Sequence, residues 1–307
     1  MYRAAGFVSA ASLYRMGEIY IMRSVCIEPK MGKIISKLDL SGKEACLNLL
    51  LPEVDIRVES QLKRPAIVVL GGGGFDHVSL REGEPVALQF VAKGFVVGVL
   101  YYSLIPNRWP SQMHDVANAV AYLRKHAEEY YIDAERVFVL GLSAGGHPTA
   151  ALAIYSSLEE NTERLPEEAR PNGIILGYPL LDTAEYGVEI ATKNLLGEQM
   201  NNRELIEKTS LISLVHSKMP PVFIWSTQED EIIPQQGILE FVSRLVKKGV
   251  KCEFHFYSKG VHGLGVATLQ SAMSPAMIVP SSAEWVAAAI RWALDCSGKS
   301  NGMKSSR

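Results

Sequence analysis

Long apolar segments are absent from this sequence, although hydrophobic residues make up 48% of its 307 residues. No run approaches the ~18 consecutive apolar residues that a membrane-spanning helix needs. An excess of charge of one sign is also absent, since the formal net charge is −2. No block of like charge precedes the C-terminal tail. Proteins that bind nucleic acid or anionic membranes usually carry such a block. We therefore expect a globular protein that binds neither nucleic acid nor membrane.

Cysteine is rare as well, and its four residues are scattered along the chain: Cys26, Cys46, Cys252 and Cys296. They form no C-x-x-C pair, so their spacing predicts neither a disulfide framework nor a metal site. Reduced thiols are typical of the cytosol, and we expect a cytoplasmic protein. The alternative is an N-terminal secretion signal at residues 4–13, which are mildly apolar but lack a following small-x-small cleavage site.

Strand-like and helix-like patterns alternate along most of the chain. Strand-like runs cover residues 66–70, 95–100, 136–140, 173–178, 221–225 and 252–257, and the first two are short apolar runs typical of buried strands. Helix-like patterns cover residues 84–93, 113–130, 148–154, 237–248 and 281–294. This alternation predicts an α/β fold with a mostly parallel, doubly wound sheet.

The same patterns predict the domain organisation. Residues 32–296 are expected to form one α/β domain, with an antiparallel hairpin of residues 34–40 and 45–51 at its edge. Residues 182–217 interrupt the alternation with a mixed helical pattern, on the side of the sheet where ligands bind, and are predicted to form a cap segment. Residues 1–31 are predicted to be an N-terminal appendage and residues 297–307 a polar tail.

The sequence G-L-S-A-G-G-H at residues 141–147 lies between a predicted strand and a predicted helix. This is the context in which G-x-S-x-G holds a nucleophilic serine on a sharp turn. Gly141 and Gly145 allow the strand and the helix to approach closely, and Ala144 offers a backbone N–H at a helix start. The alternative is a glycine-rich turn whose serine has no chemistry. The strand and helix on either side favour Ser143 as a nucleophile.

A serine hydroxyl becomes a good nucleophile only beside a base, which an acidic side chain must orient. His262 is the predicted base, because it lies in a glycine-flanked loop directly after the last predicted strand. Three other histidines follow Ser143 and are less well placed. His147 lies one helical turn beyond the serine, His255 is inside a strand, and His216 has no supporting context.

The acid should follow a strand between the serine and the histidine. Asp230 comes a few residues after the predicted strand 221–225, which leaves the loop room to turn back toward the histidine. Glu229 and Glu231 are adjacent rivals, and Asp182 follows the preceding strand. An ordinary solvated acidic loop is the other interpretation of this cluster. Asp230 is preferred, since its short side chain has fewer unproductive geometries than those of its glutamate neighbours.

Four glycines at residues 71–74 directly follow a buried strand. We predict that the amides of Gly72, Gly73 and Gly74, together with that of Ala144, form an oxyanion hole, in which N–H groups face a carbonyl oxygen as it gains charge. A phosphate-binding loop is the rival interpretation. Neither G-x-x-x-x-G-K-[ST] nor G-x-G-x-x-G spacing is present, so a nucleotide cofactor is not expected.

Together these stretches resemble the α/β-hydrolase superfamily, in particular the bacterial branch of hormone-sensitive-lipase-type and acetyl esterases often found with xylan-degrading enzymes. The similarity covers residues 65–294 and is carried by G-G-G-F at 72–75, R-E-G-E-P-V-A at 81–87, S-A-G-G-H at 143–147, Tyr178-Pro179, Asp230-x-x-x-Pro234 and His262-Gly263. It implies a serine carboxylesterase that acts on a small-molecule partner, an acetyl or short acyl ester, without a cofactor or metal.

Three further residues are predicted to line the substrate pocket. Phe75 and His147 lie beside the glycine loop and the serine turn, and Leu196 belongs to the most apolar pair of the cap segment. Gly71 departs from the resemblance, since such esterases usually have His or Pro before three glycines. Glycine supplies neither a side chain nor stiffness there, and we expect a looser loop.

Two other functions stay open at this point. A serine peptidase of the prolyl-oligopeptidase type carries a large extra domain such as a propeller. The roughly 30 residues before the hydrolase core are fewer than the ~40–45 residues of a single propeller blade, which argues against that type. The other is a non-catalytic binding protein on the same scaffold, because a fold does not guarantee chemistry.

Overall fold

The computed structural model describes residues 22–27, 45–52, 62–158 and 163–296. Within these ranges eight strands form one sheet: β1 (Met22–Ile27), β2 (Cys46–Pro52), β3 (Arg64–Leu70), β4 (Val96–Tyr101), β5 (Ile132–Leu142), β6 (Gly173–Gly177), β7 (Val222–Thr227) and β8 (Cys252–Tyr257). Their order across the sheet is β1-β2-β4-β3-β5-β6-β7-β8. The strands from β3 to β8 are parallel, whereas β2 pairs antiparallel with both β1 and β4. The predicted α/β fold with a mostly parallel sheet is confirmed.

At the antiparallel edge of the sheet, the outer strand is not the one that the predicted hairpin would supply. The segment predicted at 45–51 is strand β2, and its outer neighbour is Met22–Ile27, a segment that the sequence places in the N-terminal appendage. Residues 34–40, the other predicted arm of the hairpin, lie outside the described residues. The sheet therefore includes part of the chain before residue 32.

Eight α-helices connect or flank the strands in the described ranges: α1 (Leu80–Val91), α2 (Ser111–Lys125), α3 (Gly146–Tyr155), α4 (Glu189–Leu196), α5 (Arg203–Thr209), α6 (Gln235–Lys247), α7 (Pro280–Ala283) and α8 (Trp285–Cys296). Helix α1 begins four residues before its predicted start. The helix begins after Ser79 and contains Pro85 in its interior, a position that usually disfavours proline. No helix in these ranges combines the length and apolar character needed to cross a bilayer.

Both faces of the sheet are buried, which explains why its central strands read as continuous apolar runs. Along β3, Val68 and Leu70 belong to one core cluster while Ile67 and Val69 belong to the other. The alternation follows from the two-residue period of a strand. Side chains of α2, α3 and α6 complete the first cluster, and those of α1 and α8 complete the second. The helices thus cover the sheet on both sides, as a doubly wound fold requires.

Cysteine chemistry differs from the expectation at one position. Cys46 on β2 is disulfide-bonded, so the prediction of reduced thiols throughout is wrong there. Sequence spacing alone does not show which cysteines the fold brings together. Cys252 and Cys296 carry free thiols, and partial burial raises the pKa of both.

His147 lies in the first turn of α3 and is fully buried. Its Nε2–H donates to the carbonyl oxygen of Thr209 at 2.9 Å, and its ring contacts Phe75 and Trp109 edge-to-face. Burial lowers the pKa of His147 to about 4, despite the opposing effects of the Thr209 carbonyl and Asp182. The imidazole is therefore neutral near neutral pH and packs as a core residue.

A neutral core histidine makes stability depend on pH with a definite sign. The unfolded chain takes up a proton on His147 near pH 6.5, whereas the folded chain does so only near pH 4. Stability contributed by the neutral imidazole is thus complete above pH 6.5 and is lost as the pH falls between these values. The effect on the free energy of unfolding at pH 5 is on the order of 2 kcal/mol.

We expect His147→Gln to lack this pH-dependent contribution to the free energy of unfolding, because glutamine can donate to the Thr209 carbonyl but does not titrate. Urea unfolding of both proteins at pH 7 and pH 5 measures it. The wild-type advantage in free energy of unfolding should shrink by about 2 kcal/mol at the lower pH. An advantage of equal size at both pH values would contradict the buried neutral histidine.

Candidate active site

Ser143 occupies a strained turn between β5 and α3, with a left-handed backbone φ of 52°. Such a φ is costly for a residue with a side chain and is found where the fold enforces it. The turn is tight enough to demand glycine on both sides. A Cβ at Gly141 would lie 2.3 Å from the carbonyl oxygen of Gly145, and one at Gly145 would lie 2.6 Å from that of Gly71. Close approach of strand and helix, the predicted reason for both glycines, is observed at Gly141, whereas at Gly145 the close approach is to the end of β3 and the glycine loop.

His262 follows β8 and reaches the serine from the neighbouring loop. Its Nε2 lies 2.8 Å from Ser143 Oγ, and its Nδ1 lies 2.7 Å from Asp230 Oδ2. The carboxylate can only accept, so Nδ1 carries the proton and Nε2 is left as the acceptor for the serine hydroxyl. The Asp230 side chain is fully buried and that of His262 is 18% exposed. This arrangement can withdraw a proton from Ser143 and stabilise the imidazolium that results.

Of the four acidic candidates, Asp230 is the one that contacts His262. Its second oxygen, Oδ1, accepts from the amides of Ile232 and Ile233 at 2.9 and 3.0 Å. These bonds orient the carboxylate toward His262.

The rival acids have other contacts. Glu229 Oε2 accepts from the amide of Gly260 at 2.8 Å and so holds the loop that leads to the histidine. Asp182 accepts from the amides of Ala184 and Tyr186, closing its own turn, and Glu231 is exposed.

The other histidines that follow the serine are engaged elsewhere. His255 Nε2 contacts Glu253 at 2.8 Å on β8, and His216 Nε2 donates to the carbonyl oxygen of Ile154 at 3.1 Å. His147 is buried against Thr209, as described above. His262 is therefore the histidine placed at the serine.

The glycine loop after β3 packs directly against the serine turn. Gly73 and Gly74 have positive φ values of 122° and 59°, and both border the cavity at Ser143, as does Ala144. Gly72 differs from them, because its N–H donates to Glu82 Oε2 at 2.8 Å. The prediction that Gly72 contributes a free amide is therefore wrong, since the buried carboxylate already occupies that donor. A Cβ at Gly72 would lie 2.6 Å from that of Ser143, which explains the glycine.

The loop is also held at Gly71, where a loose structure is expected from the sequence. The Tyr102 hydroxyl donates to the carbonyl oxygen of Gly71 at 3.0 Å, and the amide of Ser79 donates to that of Gly72 at 2.9 Å. A Cβ at Gly71 would lie 2.7 Å from the carbonyl oxygen of Ser79. These contacts oppose the expected looseness, and they come from residues whose position the sequence alone does not reveal.

A cavity of about 330 Å³ opens at Ser143 and His262. Its apolar walls are formed by Leu180, Val188, Ile190, Ala191, Ile232 and Ile233. Its polar walls are formed by His77, Ser79, Arg81 and Glu82, together with the glycines at 73, 74 and 263. Part of the predicted cap segment, at the start of α4, therefore forms one wall.

The three pocket residues predicted from the sequence are not among the residues that line this cavity. Phe75 and His147 are fully buried and Leu196 is 2% exposed, all within the core. Val188, just before α4, and Ile190 and Ala191 in its first turn border the cavity, whereas Leu195 and Leu196 at its end belong to the core. The sequence identifies an apolar helix there but not which of its turns lies over the cavity.

Sequence reasoning also missed Glu82 and Tyr178 as parts of the site. Both belong to stretches that carry the family resemblance, yet neither had a role in the predicted chemistry. Apart from that resemblance, the sequence signal for Glu82 is an acidic residue just before the predicted helix 84–93, and acidic residues are common near helix starts for other reasons.

Comparison with known proteins places this fold and site in a family. The chain is 33% identical over 214 residues to endo-1,4-beta-xylanase B of Butyrivibrio fibrisolvens, which covers 67% of this chain and 33% of that protein. It is 29% identical over 209 residues to the acetylxylan esterase of Xylanibacter ruminicola, covering 66% of this chain and 42% of that protein. The chain thus spans less than half the length of these curated relatives.

A solved structure covers nearly all of the fold. The acetyl ester-xyloside bifunctional hydrolase from Caldicellulosiruptor lactoaceticus superimposes with a TM-score of 0.72 at 29% identity, over 88% of this chain and 95% of that one. Residues 54–245 match the BD-FAE family. That match takes in more than half of the 307 residues, and it includes the glycine loop, the serine turn and Asp230. The chain belongs to the BD-FAE family and has the α/β-hydrolase fold.

Proposed function

We propose that this protein is a serine hydrolase that cleaves carboxylic esters of small acylated substrates through an acyl-enzyme on Ser143. The observation that carries the proposal is the continuous hydrogen-bonded chain from Asp230 through His262 to Ser143 Oγ. These hydrogen bonds end at the serine, which borders a cavity that Gly73, Gly74 and Ala144 also border. The names of the acetylxylan esterase and the acetyl ester-xyloside hydrolase support an ester as the substrate.

In the proposed acylation step, His262 Nε2 accepts the proton of Ser143 while Oγ forms a bond to the ester carbonyl carbon. The carbonyl oxygen takes up the negative charge and accepts hydrogen bonds from the amides of Gly73 or Gly74 and of Ala144. As the tetrahedral intermediate collapses, the bond to the alcohol oxygen breaks and His262 returns the proton to that alcohol. Asp230 keeps the imidazole in the required tautomer and stabilises its charged form.

Water then completes the reaction. His262 accepts a proton from a water molecule as its oxygen bonds to the acyl carbon, and the Ser143 oxygen leaves with the proton that the histidine returns. A carboxylic acid is released and the serine hydroxyl is restored. Atoms and charge balance over the two steps, and no cofactor takes part.

The cavity favours small acyl groups. Its volume of about 330 Å³ is near the lower end of the range of roughly 300–1,000 Å³ for ligand pockets. The lining includes both aliphatic and polar side chains, which suits an ester with a short acyl chain and a polar alcohol. We therefore propose acetyl or short acyl esters, acetylated sugars among them, as the substrates.

Ser143→Ala should lower kcat for p-nitrophenyl acetate by on the order of 10³-fold or more, because the nucleophile is lost while binding and charge stabilisation remain. Phenylmethylsulfonyl fluoride should label wild-type protein at Ser143 and leave the variant unlabelled, as read by mass spectrometry. Ser156→Ala is the matched control, since Ser156 bonds the carbonyl oxygen of Leu152 at the end of α3. A folded Ser143→Ala variant with half of the wild-type activity would reject the mechanism, and wild-type protein without turnover would favour a binding protein.

Asp230→Asn should lower kcat by on the order of 10³–10⁴-fold, because the amide cannot hold the Nδ1–H tautomer of His262 as a carboxylate does. Asp182→Asn and Glu229→Gln are the matched controls. Each should lower kcat by about tenfold at most, through a change in the local electrostatic field. Circular dichroism checks the fold of each variant before kcat is compared. Loss of activity in Asp182→Asn with retention in Asp230→Asn would move the acid to the loop after β6.

Ile190→Ala should shift the preferred acyl length toward longer chains, because Ile190 borders the cavity and is 66% exposed. Removing it enlarges the space without opening the core. Leu196→Ala is the contrasting variant. Removal of this buried side chain should lower the free energy of unfolding by about 2–5 kcal/mol and leave the acyl preference unchanged. A series of p-nitrophenyl esters and urea unfolding measure the two effects. Unchanged acyl preference in Ile190→Ala would place the acyl group elsewhere in the cavity.

A further inference from the structure

A second buried carboxylate lies beside the serine and takes no part in the proposed reaction steps. Glu82, in the first turn of α1, is 2% exposed and borders the cavity. Its Oε2 accepts from the amide of Gly72 at 2.8 Å, and its Oε1 accepts from the hydroxyl of Tyr178 at 2.7 Å. Burying a carboxylate is costly unless hydrogen bonds compensate it. Here each oxygen has a donor, and the two donors belong to different parts of the site.

The first donor ties Glu82 to the glycine loop. Gly72 is held through both of its polar groups, because its N–H donates to Glu82 and its carbonyl oxygen accepts from Ser79, at the start of the same helix. Gly73 and Gly74 follow directly and border the cavity. The orientation of their amides therefore depends on where α1 holds Gly72.

The second donor ties Glu82 to the loop of His262. The Tyr178 hydroxyl donates to Glu82 and accepts from the amide of Gly265 at 2.8 Å. Its ring also contacts His262 edge-to-face, with ring centroids 5.1 Å apart. Burial raises the pKa of Tyr178 well above its usual value, and the charge of Glu82 adds to the effect. The hydroxyl thus stays protonated and keeps its role as donor.

Arg81, next to Glu82, reinforces the second connection. Its guanidinium donates to the carbonyl oxygens of Gly263 and Ser271, on the same loop and beyond it. Strands β5, β6 and β7 separate β3 from β8 in the sheet, so the sheet itself does not join the two loops. The first turn of α1 joins the two loops at the carboxyl edge of the sheet.

We propose that Glu82 is a positioning residue for the reaction at Ser143. Its carboxylate orients the glycine loop through Gly72, and through Tyr178 and Gly265 it orients the loop that carries His262. The inference rests on the proposed function and extends it to the residues that keep the oxyanion donors and the base in register. Errors of about 1 Å in such an arrangement can cost on the order of 10²-fold in rate. The effect of losing Glu82 should therefore appear in kcat more than in KM.

Glu82→Gln is the decisive variant, because it keeps the size of the side chain and removes one of the two acceptors. Its amide oxygen can serve Gly72 or Tyr178, while its NH₂ group faces the remaining donor. We expect kcat for p-nitrophenyl acetate to fall by about 10–10²-fold, with KM changed by less than about threefold. Glu84→Gln is the matched control, since Glu84 is exposed two residues along the same helix.

Tyr178→Phe tests the second connection separately. It keeps the Gly72–Glu82 bond and removes the hydroxyl that joins Glu82 to Gly265. We expect a smaller fall in kcat than in Glu82→Gln. The fall in kcat of the double variant should be smaller than the two single falls combined, because both substitutions act on one hydrogen-bond network.

Labelling of Ser143 by phenylmethylsulfonyl fluoride gives a readout that does not depend on ester turnover. We expect its rate to fall in Glu82→Gln and Tyr178→Phe and to stay at the wild-type value in Glu84→Gln. Wild-type protein that is labelled but hydrolyses no ester would reject the proposed function and leave the labelling rates to decide the role of Glu82.

A folded Glu82→Gln variant whose kcat and labelling rate match those of Glu84→Gln would overturn the inference, even if urea unfolding showed it to be less stable. Where Glu82→Gln does not fold, Tyr178→Phe decides. Wild-type kcat and labelling in folded Tyr178→Phe would then overturn it.

Discussion

The close packing of the serine turn against the glycine loop is the constraint on which the rest of the site depends. Gly145 meets the carbonyl oxygens of Leu70 and Gly71, and Gly72 meets the side chain of Ser143, at distances that leave no room for a Cβ. The contact between the β5–α3 turn and the β3 loop is therefore made by backbone. It brings the amides of the loop next to the serine without any side chain between them. Flexible side chains could not hold these groups with the same accuracy.

Buried carboxylates then secure the loops that backbone packing alone leaves free. Asp230 accepts from two amides of its own turn and from His262, and Glu82 accepts from Gly72 and Tyr178. A carboxylate out of water is stable only with its oxygens hydrogen-bonded, and such networks are strengthened by the low local dielectric. Each acid thus fixes its neighbours because the alternative, an unpaired buried charge, is far less stable. The same requirement keeps the loops after β3 and β8 in register with Ser143.

Much of the fold could be predicted because burial on both faces of a sheet leaves a direct pattern in sequence. The apolar runs at β3, β4, β6 and β7 were recognisable, and the less buried edge strand β8 also has the bounds predicted for it. Helix ends were less predictable, since α1 begins four residues before its predicted start and contains Pro85 in its interior. The outer strand β1 was not recognised from the sequence, and it is defined by its antiparallel pairing with β2. The disulfide at Cys46 likewise depends on which cysteines the fold brings together.

The sequence by itself determined the order and kind of the reactive groups. A serine on a G-x-S-x-G turn, an aspartate after the next strand but one and a histidine after the last strand are local features, each tied to the end of a recognisable element. Tertiary structure alone decided which amides are free and which side chains border the cavity. Gly72 and Gly73 are adjacent and alike in sequence, yet Glu82 occupies the amide of the first. Leu196 and Ile190 lie on one apolar helix, yet only Ile190 reaches the cavity. Such differences arise from contacts between segments far apart along the chain, and local sequence does not encode them in a form that can be read residue by residue.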